Sequence, residues 1–149
     1  MTVGLHRTYI TPQGCKISES PAKKIFPTLY RGATTGGAIQ LFEPSDTLAI
    51  AEGIETALAI NQMLQEPVWA ATSANGMAAM QVPSSVKFVV ICADNDLSGR
   101  GEIAAKELAT RLYSEGKEVH ILAPDRPKTG GAKSIDWLDC LVELNKHVH

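Results

Sequence analysis

Apolar residues are distributed along this chain in short runs that predict buried strands. Phe88 to Ala93 is an unbroken apolar run rich in β-branched residues and too short for a globular helix. Such a run is typical of a strand that is buried on both faces of a parallel sheet. Short apolar runs at Thr47 to Ala51 and Val68 to Thr72 predict two further strands, and Glu118 to Ala123 predicts another.

Between and after these strands, apolar residues recur at helical spacing. One helix is expected after Ala51, a second after Ala93 with its end near Gly116, and a third that begins at Ser134. Strands that alternate with helices are typical of α/β proteins with a mostly parallel sheet. Residues 47–149 are therefore predicted to form a mostly parallel four-stranded sheet flanked by helices.

Residues 1–46 follow a different pattern. Prolines and glycines interrupt this segment too often for a helix, and His6 to Thr11 and Ala38 to Phe42 alternate enough to be short strands. We therefore expect a small antiparallel β attachment before the main domain. Its basic side chains either line a groove for a phosphate backbone or are ordinary solvated charges; they are Lys23, Lys24 and Arg31.

Three acidic residues follow two of the predicted strands. Glu52 comes directly after Ala51, and Asp94 and Asp96 come after Ala93. In open α/β sheets, ligands bind outside the carboxyl ends of the strands. Because neighbouring carboxylates repel each other, a hard divalent cation with oxygen ligands is the expected guest. The alternative is purely structural, since acidic residues also favour turns and the first turns of helices.

Other polar residues are weaker candidates for ligand contacts. Ser73 and Asn75 follow the strand that ends at Thr72, although an Asn-Gly turn also explains Asn75. Arg100 opens the second predicted helix, where it either orients a phosphate or is simply exposed. The segment Gly130 to Ser134 is not a P-loop, because the required glycines are missing and it precedes the last helix.

Composition restricts the class of protein. A chain of 149 residues fits one domain with a real core, and its net charge of −2 excludes a global basic footprint for nucleic acid. Three widely spaced cysteines without a CxxC motif argue for a reducing compartment and against a zinc site. No apolar stretch approaches membrane-spanning length, and the N-terminus lacks a signal-peptide core, so a cytoplasmic protein is expected.

The order of these motifs resembles the Toprim domain. A strand, Glu52 and a glycine lead into one helix, and about forty residues later a strand, Asp94, Asp96 and Gly99 lead into another. This domain is shared by bacterial-type primases, topoisomerases, certain nucleases and RecR-type repair proteins. The sequence from Ala51 to Ala57 is most similar to that of the Toprim domain of phage- and plasmid-type primase-helicases.

The resemblance implies a function and a set of residue roles. Glu52, Asp94 and Asp96 would be catalytic and would hold Mg²⁺ or Mn²⁺, while Arg100 and Lys133 would orient triphosphate or template. Lys133 and Asp136 approximate a lysine–aspartate pair that follows the fourth strand in the family. The implied activity is nucleotidyl transfer by a DNA primase, which makes RNA primers from ribonucleoside triphosphates on single-stranded DNA.

Three other functions remain open at this point. The same carboxylates would serve a Toprim-type metal-dependent nuclease, and a RecR-like adaptor would bind DNA without catalysis. A phospho-acceptor receiver domain is disfavoured, because receivers place two acids after the first strand and one after the third. Since the 149 residues contain neither a zinc-binding module nor a helicase P-loop, we expect helicase and zinc-binding domains in a larger parent protein.

Overall fold

The computed structural model describes residues 2–18, 21–26, 28, 30–96, 98–124, 134–135 and 137–146. For Asp96, Ser134, Ile135 and Lys146 it describes the backbone alone. The chain divides into two compact units, Met1–Thr35 and Gly36–His149. In the first unit, strand β1 (His6–Thr8) pairs antiparallel with strand β2 (Lys23–Ile25).

The second unit contains a five-stranded sheet whose strands, in spatial order, are β3 (Ile39–Gln40), β5 (Val68–Ala70), β4 (Thr47–Ala51), β6 (Phe88–Cys92) and β8 (Glu118–Leu122). Four strands run parallel and correspond to the four that the sequence predicts: β4, β5, β6 and β8. The described part of this unit contains four helices: α1 (Ile54–Leu64), α2 (Ala74–Ala79), α3 (Arg100–Ser114) and α4 (Trp137–Lys146). The predicted α/β class with a mostly parallel, helix-flanked sheet is confirmed.

The fifth strand corrects the sequence-based assignment. Strand β3 (Ile39–Gln40), which we expected in the N-terminal attachment, pairs antiparallel with β5 at one edge of the main sheet. Its Ile39 side chain packs against the buried cluster on that side of the sheet, and the nearby Phe42 carbonyl accepts a hydrogen bond of 2.9 Å from the Trp69 indole. Tertiary packing therefore fixes the partner of this short strand.

The core lies on both faces of the sheet, which explains the unbroken apolar runs. Leu48, Ile50 and Ile91 face a cluster that includes residues of α2 and α3. Ala49, Ala51 and Cys92 alternate with them and face α1. Full burial of each Leu or Ile side chain contributes about 1.5–3 kcal/mol, so these two clusters hold the strand ends in place.

A further pair of two-residue strands lies beyond the main sheet. Strand β7 (Asn95–Asp96) pairs antiparallel with β9 (Ser134–Ile135), and Asp96 stands opposite Ser134. The Asn95 amide donates to the Pro124 carbonyl at 3.4 Å. No helix among the described residues is long and apolar enough to cross a bilayer.

Candidate active site

Glu52 and Asp94 lie at the carboxyl ends of neighbouring parallel strands. The register of β4 and β6 pairs Ala51 with Cys92, so Glu52 follows a strand end and Asp94 comes two residues beyond the adjacent one. Both side chains are half-buried, and the Oδ1 atom of Asp94 is shielded from solvent. The sheet therefore brings together two acidic residues that are about forty positions apart in sequence.

The first turn of α3 faces both of these residues. A Cβ atom built on the buried Gly101 would lie 3.6 Å from Glu52 Oε2 and 3.6 Å from the backbone oxygen of Asp94. The start of α3 therefore lies within van der Waals distance of both a carboxylate oxygen and a carbonyl oxygen. Oxygen donors of this kind are the ligands that Mg²⁺ prefers, so the donors at Glu52 and Asp94 fit a divalent cation.

The other predicted acidic and basic partners are described only in part. The backbone of Asp96 pairs with β9, but its side chain lies outside the described part of the structure. Lys133 and Asp136 also lie outside the described residues, although their chain neighbours Ser134 and Ile135 form β9. Among the described side chains, no group of three His, Cys, Asp or Glu residues is placed to hold a metal ion.

A cavity of about 240 Å³ opens beside Glu52. Its lining residues come from the ends of β4 and β5, from α2 and from the start of α3: Glu52, Ser73, Ala74, Asn75, Ser98 and Arg100. The structure thus brings Asn75 and Arg100, two of the weaker sequence candidates, together with Glu52. The cavity combines one carboxylate, one guanidinium, one amide and two hydroxyl groups. Such a lining suits a polar ligand that carries phosphate groups.

Ser98 was missed as a cavity residue at the level of sequence. It follows Asp96 at a strand end, as Ser73 follows β5, but serines that open helices are usually caps. Its hydroxyl does accept a hydrogen bond of 3.3 Å from the Arg100 backbone. The one signal in the sequence was that Ser98 follows a strand end. Its place in the cavity lining distinguishes it from a serine that only caps a helix.

The segment that leads into α2, whose first turn carries Asn75, is tightly constrained. Thr72 has a positive φ of 68°, which is uncommon for a β-branched residue, and Ser73 caps α2 by accepting a 3.0 Å hydrogen bond from the Gly76 backbone. A Cβ atom on Gly76 would clash with the Ala71 carbonyl oxygen. These restraints fix the backbone on either side of Asn75, and with it the direction from which the amide approaches the cavity.

Cys92 lies next to this site but has no part in it. Burial, reinforced by the negative charge of Asp94, raises the pKa of the Cys92 thiol to about 12. The thiol is therefore protonated at neutral pH, and only a thiolate is a good metal ligand or nucleophile. The oxygen atoms of the site are its useful donors.

Comparison with known proteins gives one family match. A family model described as the Toprim domain matches residues 47–146. No curated protein matches the chain.

Solved structures of primases are similar to the chain in fold. They include the DnaG catalytic core (TM-score 0.57, 18% identity, 95% of this chain and 48% of that one) and a DNA primase domain from Pseudomonas aeruginosa (TM-score 0.55, 18% identity, 97% and 48%). A third is the DnaG primase catalytic domain bound to single-stranded DNA (TM-score 0.55, 16% identity, 97% and 49%). The chain thus spans about half the length of the structures that it matches.

Proposed function

This chain belongs to the Toprim family, and from that premise we propose that it is the divalent-metal-dependent nucleotidyl-transfer domain of a DNA primase. The observation that carries the proposal is that Glu52 Oε2 and the backbone oxygen of Asp94 both lie next to Gly101, at the carboxyl ends of neighbouring strands. Similarity in fold to primase catalytic domains favours this member of the family over the others. Because the chain spans half of those structures, primer synthesis is proposed for a longer protein that contains it.

We assign the metal-holding role to Glu52, Asp94 and Asp96. Toprim domains generally bind divalent metals such as Mg²⁺, and the oxygen donors at this edge of the sheet suit such an ion. When bound, a divalent cation supplies positive charge that offsets the charge developing on the transferred phosphoryl group. The proposed ion is Mg²⁺ or Mn²⁺.

The cavity residues are proposed to position the reactants. The Arg100 guanidinium would donate to triphosphate oxygens, and the Asn75 amide would hydrogen-bond to a polar group of the nucleotide. Glu52, which lines the cavity, would hold the metal directly or through water, or would act as general acid/base toward the 3′-hydroxyl of the growing primer. Lys133 and Asp136 remain proposed contacts for the template or the triphosphate.

Proposed partners follow from the same reaction. They are single-stranded DNA as template, ribonucleoside triphosphates as substrates, and helicase and zinc-binding domains in the parent protein. Holding template and two nucleotides in line lowers the barrier by several kcal/mol, so we expect this chain alone to make little or no primer. The reaction would take place in the cytoplasm.

Metal binding is tested first, because it needs no parent protein. Titration with Mn²⁺ should broaden the backbone amide NMR signals of residues 52–54 and 94–101 before any others. The Glu52→Gln and Asp94→Asn variants should need an Mn²⁺ concentration at least tenfold higher for the same broadening. Each substitution removes an anionic ligand at nearly constant volume. Broadening that is confined to His147 and His149 would mean chelation by the C-terminal histidines and would contradict the proposed site.

The chemistry is tested in the longer protein with labelled single-stranded DNA and Mg²⁺. RNA products should form when ribonucleoside triphosphates are added, and the Asp94→Asn variant should make none. Glu118 is an exposed carboxylate on β8, so the control variant Glu118→Gln should still make them. Shortening of the DNA without nucleotides would instead identify a nuclease. DNA binding that is independent of metal and is followed by no reaction would identify a RecR-like adaptor.

A further inference from the structure

The two compact units carry opposite charges. Met1–Thr35 contains five Lys and Arg residues and a single Glu, which gives a formal charge of +4. The remaining residues carry nine basic and fifteen acidic side chains, a formal charge of −6. A net charge of −2 for the whole chain therefore conceals a basic N-terminal unit, and a local basic surface attracts polyanions.

The basic side chains of the β1–β2 pair share one face with two aromatic rings. Arg7 and Lys24 stand directly opposite each other, and alternation along each strand puts Tyr9 and Phe26 on the same face. Hydrogen bonds from Tyr9 N to Ala22 O (2.7 Å) and from Phe26 N to Leu5 O (2.9 Å) extend the pairing to both rings. We call Arg7, Tyr9, Lys24 and Phe26 the hairpin face.

Within the hairpin face, each cation contacts an aromatic ring of the opposite strand. The Arg7 guanidinium carbon lies 4.2 Å from the centroid of the Phe26 ring, and Lys24 Nζ lies 5.8 Å from that of Tyr9. Arg7 also donates a hydrogen bond of 3.5 Å to the Tyr9 hydroxyl, which is the largest cause of a lowered pKa at Tyr9. These contacts favour an arrangement in which cations and rings alternate across the face, each cation–π contact contributing about 0.5–1 kcal/mol.

The hairpin face is accessible to a ligand. Arg7 and Lys24 are exposed, Phe26 is 37% exposed and Tyr9 is half-buried. Within the described part of the chain, neither Arg7 nor Lys24 forms an ion pair with a carboxylate. The face therefore presents two exposed cations beside two aromatic rings, a combination that matches a ligand with both phosphates and flat bases.

We propose that the hairpin face binds single-stranded nucleic acid, with Arg7 and Lys24 on backbone phosphates and Phe26 and Tyr9 against unpaired bases. A single strand is favoured over a duplex because only unpaired bases expose their faces to aromatic side chains. The inference rests on the proposed function in one respect only: the bound single-stranded nucleic acid is identified as the template of a primase. The binding itself involves residues of the first unit alone and is tested without the acidic site.

The test measures fluorescence anisotropy of a labelled oligothymidylate of about 16 nucleotides with the full chain in EDTA. Arg7→Ala combined with Lys24→Ala should lower affinity at least tenfold and reduce the slope of log K against log salt by about 1.4, since each phosphate contact on a single strand contributes about 0.7. Phe26→Leu should lower affinity about fivefold or more with the slope unchanged, because it removes stacking and no charge.

Matched controls separate this site from general charge effects and from the acidic site. Lys87→Ala combined with Lys106→Ala removes two exposed cations from the second unit and should change affinity less than twofold. Glu52→Gln should bind the oligonucleotide as the parent does, even if it loses metal binding. Failure of the parent to bind, an equal loss in the control pair, or equally strong binding of duplex DNA or heparin would overturn the proposal. Melting temperatures within about 2 °C of the parent would exclude unfolding as the cause of a loss.

Discussion

Replacement of Gly76 by Ala separates two physical effects of opposite sign. Gly76 lies inside α2, where helix propensity alone predicts that Ala stabilises the protein by about 1 kcal/mol. The structure predicts the reverse, because the new methyl group would overlap the Ala71 carbonyl oxygen and lie 3.2 Å from Ser73 Oγ. Overpacking against backbone costs about 1–3 kcal/mol, and disturbance of the Ser73 cap costs about 1 kcal/mol more.

The expected net effect of Gly76→Ala is therefore a loss of about 1–3 kcal/mol in the free energy of unfolding. For a chain of this length, each kcal/mol lowers the melting temperature by about 2–4 °C. Urea denaturation followed by circular dichroism measures the change, with Gly101→Ala as the matched control inside a helix. A Cβ on Gly101 would meet nothing closer than 3.6 Å, so that variant should be at least as stable as the parent. A Gly76→Ala variant as stable as the parent, or more stable, would refute the described path of the loop from Ala71 to Gly76.

Two further predictions concern buried groups that do not line the cavity. Because the pKa of Cys92 is about 12 in the folded protein against an ordinary 9.0, the stability that burial of the neutral thiol confers should be complete below pH 9 and fall between pH 9 and pH 12. The Cys92→Ala variant should lack this fall in urea titrations, and at pH 8 a thiol reagent should modify the exposed Cys15 while Cys92 reacts only on unfolding. Lys117→Met should cost about 2–4 kcal/mol, because the buried ammonium donates to the Pro83 and Val86 carbonyls at 2.9 and 2.6 Å. Equal urea midpoints for Lys117→Met and the parent would show that water replaces the amine at both carbonyls.

The central strands were predictable because a strand that is buried on both faces has an unbroken run of apolar residues. The runs ending at Ala51 and at Ala93 match β4 and β6 closely, since every position in them except the outer ends contacts one of the two clusters. Once two parallel strands are adjacent, acidic residues just beyond their ends must meet at one edge. The proximity of Glu52 to the Asp94 backbone was therefore available from pattern alone.

Short strands and cavity walls were not predictable in the same way. Strand β2 consists of three exposed residues with two lysines, a composition that is typical of a loop, and only its pairing with β1 makes it a strand. Strands β3, β7 and β9 have two residues each, too few to show any periodicity. The sequence could not predict that Ser98 lines the cavity, because this depends on how α2 and α3 approach each other.

The pairing of β7 with β9 has a practical consequence for dissecting the domain. A fragment ending just after Leu122 would keep all five strands of the main sheet and would be expected to look folded by spectroscopy. It would nevertheless lack Ser134, the partner of the Asp96 backbone, and α4, which packs against α1. An expression boundary drawn at the end of the sheet would thus remove contacts of both the Asp96 backbone and α1 while the strands of the main sheet remain. The shortest fragment that keeps both of these contacts extends to the end of α4.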